Sequence, residues 1–299
     1  MASKTKLKKH NNNAIGWLLN APYLIYTLVL FLIPLGWAIW LSTMNWNLMS
    51  KHKQFVGIKN FLKMFSDPKI KAAFINSFRY LIPIVLLCFV CGLFIALMVG
   101  QLPDKIKGTV AVLFFIPYLT SGVATSVLVK YFFSYDSVLN VFLRTKFNMD
   151  VVWLQNEKSA FWIMVFIVVW KMSGYYALFI LSAVEGISSD VNEACQLDGA
   201  HGFQKLFRVT IPMILPSLTT VVVLATGLAF GMFTEPYLLT GGGPNLATTT
   251  WQLEIYNTSF ISFNSGYGAA LAIANAIQIY IAIRLISFAM NKLNNKYGS

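Results

Sequence analysis

The chain has 299 residues, 57% of them hydrophobic and only 11% charged, with a mean hydropathy of +0.64. A soluble domain carries about 25% charge, so a soluble enzyme or soluble binding module is excluded. The formal charge of +12 suits a chain lying against anionic lipid and requires no nucleic acid as partner.

The chain opens on KTKLKKHNNN, which makes residues 1–20 a basic polar tail. The apolar run behind it is too long for a signal peptide and no small-residue cleavage site follows, so a first spanning helix is expected. About twenty apolar residues cross a bilayer as helix, and six segments meet that length: 21–41, 78–100, 110–132, 161–184, 215–233 and 268–289. Their apolar runs are continuous rather than alternating, and in lipid only helices or closed barrels satisfy the backbone. Residues 21–299 are therefore expected to form one all-α transmembrane domain with both termini on the same side. The Lys and Arg counts of the two sides tie, because Lys51, Lys53, Lys59, Lys63, Lys69 and Lys71 crowd the first loop. The positive-inside rule thus does not orient the chain, although the N-terminal lysines lean toward the cytoplasm.

Cys88 and Cys91 form a C-x-x-C inside an apolar run, where they share a helix face and read as small buried hydrophobes. Cys195 stands alone, and His10, His52 and His201 are dispersed, so no metal-ligand cluster is expected. The segment LLTGGGPNLATTT reads as an open turn followed by residues favouring extended backbone. It lacks the spacing of a phosphate loop, and no nucleotide-hydrolysing site is expected on this chain. Arg79 and Arg284 fall near span ends and are expected to snorkel, and Glu185 is expected at the interface. Lys171 lies about ten residues into the fourth span, too deep to snorkel. It either lines a water-filled cavity or pairs with an acid elsewhere in the assembly, Glu235 being the nearest acidic candidate by depth. Trp170, Ser173, Gly174, Tyr175 and Tyr176 around it suit a hydroxylated ring, whose C–H faces stack on aromatics while its hydroxyls bond to polar groups.

Between the fourth and fifth spans lies a polar stretch, residues 185–216, reading EGISSDVNEACQLDGAHGFQKLFRVTIPMILP. Asp190 and Glu193 have the spacing of a capping box, and Gly199 can end that helix in left-handed geometry. A second short helix, Gly202 to Val209, is expected to be broken by Pro212 and Pro216. Physically, the stretch is either a docking knob or an ordinary amphipathic interfacial loop.

Its residues carry a specific resemblance. Glu193-Ala194-Cys195, Asp198-Gly199-Ala200, Ile211-Pro212 and Leu215-Pro216 resemble the coupling-loop signature of binding-protein-dependent ABC importer permeases, with Cys195 for an alanine and a slightly stretched end. FVGIKNF with Asp67-Pro68, Trp170 to Tyr176, and LTGGGP with Thr248 to Thr250 resemble the sugar-importing branch, the maltose and glycerol-phosphate types. The resemblance implies a six-helix type I permease fold with a cytoplasmic coupling helix-turn-helix, set in the cell membrane with both termini cytoplasmic. It implies a carbohydrate delivered by an extracytoplasmic solute-binding protein, a second homologous permease, and a cytoplasmic ATPase dimer that binds ATP and Mg. No cofactor and no enzymatic activity are then expected on this chain.

Glu193, Ala194, Asp198, Gly199 and Ala200 would carry the coupling, Glu193 by a charge contact and Gly199 by its tight turn. By match to the maltose branch, Lys171, Met172 and Tyr175 fall on fourth-helix sugar contacts and Gly122 on the third-helix one. Its fifth-helix asparagines fall on Ala229 and Met232, so those polar contacts are missing and a different mode of binding is implied. Glu235 is a further pathway candidate. A self-sufficient secondary transporter would need internal repeats and membrane carboxylates, and a membrane transferase would need convergent His, Asp or Glu; neither pattern is seen.

Overall fold

The computed structural model describes residues 13–297, with side chains from residue 16 to 296. In chain order, α1 (Asn13–Thr27) passes through a π-helical turn (Leu28–Leu32) into α2 (Ile33–Ser42). Strands β1 (Met44–Asn45) and β2 (Gln54–Phe55) pair antiparallel, Met44 opposite Phe55. Then come α3 (Lys59–Ser66), α4 (Pro68–Gly100), α5 (Asp104–Leu119), α6 (Gly122–Phe132), α7 (Val138–Phe147) and α8 (Glu157–Glu185). The second half holds α9 (Ser189–Leu197), α10 (Gly202–Lys205), a π-helical turn (Leu206–Thr210), α11 (Ile211–Phe230) and α12 (Thr234–Leu239). It closes with α13 (Trp251–Tyr256), a third π-helical turn (Asn257–Ile261) and α14 (Ser265–Tyr297).

Among the described residues, five helical runs are long and apolar enough to cross a membrane: Gly16–Ser42, Pro68–Gly100, Glu157–Glu185, Gly202–Leu239 and Ser265–Lys296. The expected third span is not one straight helix. It is the pair α5 and α6, bent by 83°, and counting the pair as one span gives six. Thr120 and Ser121 are extended at the bend, just past Pro117, whose missing N–H weakens the last turn of α5. Ser121 Oγ then accepts from the Ala124 N–H, and Thr120 Oγ1 lies 3.1 Å from Thr125 Oγ1, so the polar run Thr-Ser caps the new helix.

The core is built on α4 against α8. The buried residues Ala73, Ser77, Tyr80, Ile84, Cys88, Gly92, Ala96 and Val99 recur at helical spacing along α4. Tyr80, Ile84, Cys88, Ala96 and Val99 cluster with Met164, Ile167, Tyr176, Ala177 and Ile180 of α8 and with Ile214, Leu218, Val221 and Ala225 of α11, while Ala73 packs in a second cluster with Trp251, Tyr267 and Leu271. Small residues let these helices approach closely, as membrane packing requires, and Cys88 serves here as the small buried hydrophobe expected of it. By contrast, α1 is apolar and exposed along its length, and in lipid such a face costs nothing.

Several expected boundaries move. Of the tail expected at 1–20, residues 1–12 lie outside the described ones and 13–20 are already helical. The second span starts at Pro68, capped by Asp67 accepting from the Lys69 N–H at 3.0 Å. Arg79 is therefore three turns inside the helix, where it donates to Asn76 Oδ1 at 3.2 Å and stacks 5.2 Å from the Phe161 ring. Arg284 also stands well inside its helix, exposed, because α14 continues to Tyr297. The expected break at Pro212 and Pro216 is absent: α10, the π-helical turn and α11 form one helical run. Pro212 lies inside that run at the start of α11, and the wider π turn ahead of it accommodates the missing N–H.

Candidate functional site

Two places carry the residues singled out from the sequence. The first is the polar knob between α8 and α11. The capping box does not form: α9 starts at Ser189, Ser188 caps it without a side-chain bond, and Asp190 lies inside the first turn. There its carboxylate still favours the positive end of the helix dipole. The end of α9 is as expected. Gly199 has φ +70°, its N–H donates to the Gln196 carbonyl at 3.1 Å, and the Ala200 N–H donates to the Cys195 carbonyl at 2.8 Å. This crossed pair is a Schellman closure, which needs a residue free of left-handed strain.

Cys195 is buried beneath the helix, while Glu193, Ala194 and Asp198 are exposed on top and Ala200 is half-buried. Leu197 is 89% exposed and Phe203 79% exposed. Large apolar side chains displayed beside a carboxylate, at the end of a membrane bundle, are the composition of a docking surface. Behind the knob lies a cavity of about 580 Å³ lined by Leu97, Gln101, Glu185, Asn192, Phe203 and Lys205. Glu185 ends α8 at this surface and pairs with Lys107 at 3.1 Å, tying α8 to the start of α5.

The second place is the bend between α5 and α6. Gly122 is the first residue of α6, and a Cβ placed on it would stand 3.5 Å from Lys171 Nζ and 3.5 Å from Thr234 Cγ2. Two candidates far apart in sequence, Gly122 and Lys171, therefore converge on one locus with Thr234, the residue before the third candidate, Glu235. Tyr175 is one turn from Lys171 on the same face of α8 and stacks on Tyr118 of α5, ring centroids 4.4 Å apart and 14° from parallel. Phe115 and Phe179 extend the aromatic row. Met172 is half-buried and packs on the core.

Ala229 and Met232 are not part of this opening. Both are buried in the main core cluster, and the Met232 carbonyl is taken by Thr250 Oγ1 at 2.8 Å. Apolar residues at the end of α11 gain more by packing than by facing a polar passage. Sequence reasoning missed Tyr118, the stacking partner of Tyr175, and Thr234. The one available signal was the run Pro117-Tyr-Leu-Thr-Ser-Gly122, a proline, two hydroxyl residues and a glycine in an otherwise apolar segment.

The family model described as binding-protein-dependent transport system inner membrane component matches residues 12–296. The chain is 30% identical over 294 residues to the probable ABC transporter permease protein YurN of Bacillus subtilis, covering 96% of this chain and 97% of that one. It is also 30% identical to the multiple sugar-binding transport system permease protein MsmF of Streptococcus mutans, covering 97% and 99%. Its fold is similar to a chain of a bacterial alginate ABC transporter solved in complex with an alginate pentasaccharide-bound periplasmic protein. That match has a TM-score of 0.82 at 22% identity and covers 96% of this chain and 99% of that one. With its spans, its exposed knob and a match over nearly its whole length, the chain belongs to the family of binding-protein-dependent transport system inner membrane components.

Proposed function

We propose that this chain is the permease subunit of an ABC importer for a carbohydrate, with no chemistry of its own. A solute-binding protein delivers the sugar from outside, a second homologous permease completes the passage, and a cytoplasmic ATPase dimer binds ATP and Mg and drives the cycle. The observation that carries this reading is the knob at residues 185–216: an exposed Glu193 on a short helix, closed by Gly199 and flanked by exposed Leu197 and Phe203. Membrane relatives named for sugars, MsmF and the starch degradation products transport system permease protein AmyD of Thermoanaerobacterium thermosulfurigenes, support the substrate class. The knob then faces the cytoplasm, and with it both termini of the chain.

The helical connectivity of the chain supports a mechanical route. The knob is joined to α11 by one unbroken helical run from Gly202 to Phe230. The far end of α11 leads within four residues to Thr234, which borders Gly122 and Lys171. A displacement of Glu193, Ala194, Asp198, Gly199 and Ala200 by a closing ATPase dimer is thus carried along a rigid rod to the locus of Lys171, Met172, Tyr175, Gly122 and Glu235. Packed helices move between discrete arrangements rather than bending smoothly, so the passage alternates between inward- and outward-open states.

The test is reconstitution of the importer with Glu193→Ala and Gly199→Pro. Solute-binding-protein-stimulated ATP hydrolysis and sugar uptake are expected to fall together in both variants. Two variants that hydrolyse ATP and import sugar like wild type remove the coupling role.

A further inference from the structure

The first loop of the chain carries Lys51, Lys53, Lys59, Lys63, Lys69 and Lys71, with Asp67 the only acid between residues 44 and 77. Its helix, α3, is amphipathic in an inverted sense. The buried residue is polar: Asn60 donates to the Ser42 carbonyl at 2.8 Å and to the Met44 carbonyl at 2.9 Å. On the opposite side, at i, i+4 and i+7, stand Ile58, Leu62 and Phe65, the last 83% exposed. The two bonds of Asn60 fix the rotation of α3, so the fold itself holds this apolar stripe outward. Lys59 and Lys63 flank the stripe, both exposed, and the Lys63 ammonium lies 4.3 Å from the Tyr267 ring centroid.

The stripe stands at the depth of lipid headgroups. Only Asp67 separates α3 from the spanning helix α4, whose far end borders the knob through Leu97 and Gln101. The 33 residues of α4 span about 50 Å, against about 30 Å of hydrocarbon and about 40–45 Å with headgroups. Its first turns therefore stand among the headgroups. Lys71 is exposed there and heads the exposed stripe Phe74, Ile75, Phe78 and Ile82. A groove of about 620 Å³ opens between α4 and α14, lined by Phe65 and Lys71 at the end nearest α3 and by Phe74, Phe78 and Ile281 along its length. On α14 it runs from Ala274 to Leu285, about 17 Å of helix, most of the length of an acyl chain.

A basic helix with an outward apolar stripe, at headgroup depth and above an apolar groove, has the composition of an interfacial lipid-binding element. We propose that α3 binds anionic phospholipid in the leaflet opposite the knob. Lys59, Lys63 and Lys71 meet the phosphates, Ile58, Leu62 and Phe65 enter the acyl boundary, and one acyl chain lies in the groove. Charge selects this occupant: the rim is cationic, and its one acid, Asp67, is taken up by the Lys69 N–H at 3.0 Å and the Tyr267 hydroxyl at 3.0 Å. That second bond ties the start of α4 to α14, so a lipid seated there braces the two helices it lies between.

The experiment uses the complete importer, assembled with its partner subunits, in nanodiscs of equimolar phosphatidylglycerol and phosphatidylcholine. A nitroxide is attached at Phe65→Cys and, separately, at Lys51→Cys in a cysteine-free background. Its collisions with oxygen and with a water-soluble nickel chelate are read by power-saturation EPR. Oxygen is expected to dominate at position 65 and the chelate at position 51. Native mass spectrometry of the wild-type complex is expected to show phosphatidylglycerol retained over phosphatidylcholine about tenfold or more. The triple variant Lys59→Gln, Lys63→Gln, Lys71→Gln is expected to assemble by size exclusion and to lose that preference.

Few collisions with either agent at position 65 mean that protein, such as the second permease, covers the stripe, and a dominant chelate means that it faces water. Either result overturns the proposal. So does equal retention of the two lipids by wild type, or a preference that survives in the triple variant. A triple variant that fails to assemble makes the lysines structural and overturns it as well. Each of these outcomes leaves the importer reading standing.

Discussion

Gly174 of α8 lies against the backbone carbonyl of Phe114 on α5, so closely that even a methyl group has no room between them. The obstacle is main chain and cannot rotate away, so the glycine sets how near the two helices come. Its neighbour Tyr175 stacks on Tyr118 across the same contact, and the aromatic platform at the bend depends on that approach.

Gly174→Ala is accordingly expected to force α5 off α8 at a cost of about 1–3 kcal/mol, the usual range for overpacking. The check is thermal unfolding in detergent followed by size exclusion. An unchanged midpoint would mean the helices slide apart freely.

At Gly199 the demand is conformational rather than steric, because nothing lies within 4 Å of a Cβ there but φ is +70°. A side chain in left-handed geometry costs roughly 1–2 kcal/mol, less for Asn. Closure of α9 should weaken in the order Gly, Asn, Ala, and Gly199→Pro should weaken it further by also removing the N–H that bonds Gln196. Hydrogen exchange of the Ala200 amide, which bonds the Cys195 carbonyl, reads this order directly.

Asn140 is fully buried and holds the loop around α7 together. Its amide donates to the carbonyls of Ser134 at 3.2 Å and Val151 at 2.8 Å, and accepts from Trp153 Nε1 at 2.9 Å. Asn140→Leu leaves the part-buried Val151 carbonyl and Trp153 Nε1 without this partner, at about 1–3 kcal/mol each when unsatisfied, while the Ser134 carbonyl keeps the Ser137 N–H. Trp153 should become more accessible to aqueous acrylamide in fluorescence quenching, and equal quenching in the two proteins would count against the loop being pinned here.

Glu254 on α13 is buried, and desolvation pushes its carboxyl above the ordinary range. Lys69 opposes that shift, Asp67 adds to it, and a hydrogen bond from Asn257 opposes it. A raised carboxyl favours the folded protein in its protonated form. Its stabilising contribution is full below the unfolded value of about 4.3 and is lost as pH rises through the higher folded value. Glu254→Gln is therefore expected to raise the unfolding midpoint at neutral pH and to narrow the gap to wild type at mildly acidic pH. A variant that is less stable than wild type at pH 7.5 would show the charge to be compensated.

The parts legible in the sequence are those decided locally. The fourth span, expected at 161–184, is α8 (Glu157–Glu185), because a long apolar run has one stable form in lipid. Gly199 was legible because few residues tolerate its backbone. The bend at Thr120–Ser121 was not legible from hydropathy, since two hydroxyl residues barely lower an apolar average. Nor was the capping of α9, where Ser188, Ser189 and Asp190 compete for the same role and a one-residue difference in helix start decides between them.

By itself, then, the sequence determined that this chain lies in a membrane as helices, where its exposed knob falls, and that a lysine is set deep within α8. These follow from hydrophobic run length and backbone propensity, which need no long-range partner. Only the tertiary structure decided what that lysine meets. Lys171 reaches Gly122 because α5 and α6 bend by 83°, and Tyr118 reaches Tyr175 because Gly174 lets the helices touch. Ala229, near the end of α11, and Met232, just beyond it, fall into the core shared with α4 and α8. Rotation and approach of packed helices are set by side-chain shape across residues distant in the chain. That information is spread over many contacts, and no local pattern carries it.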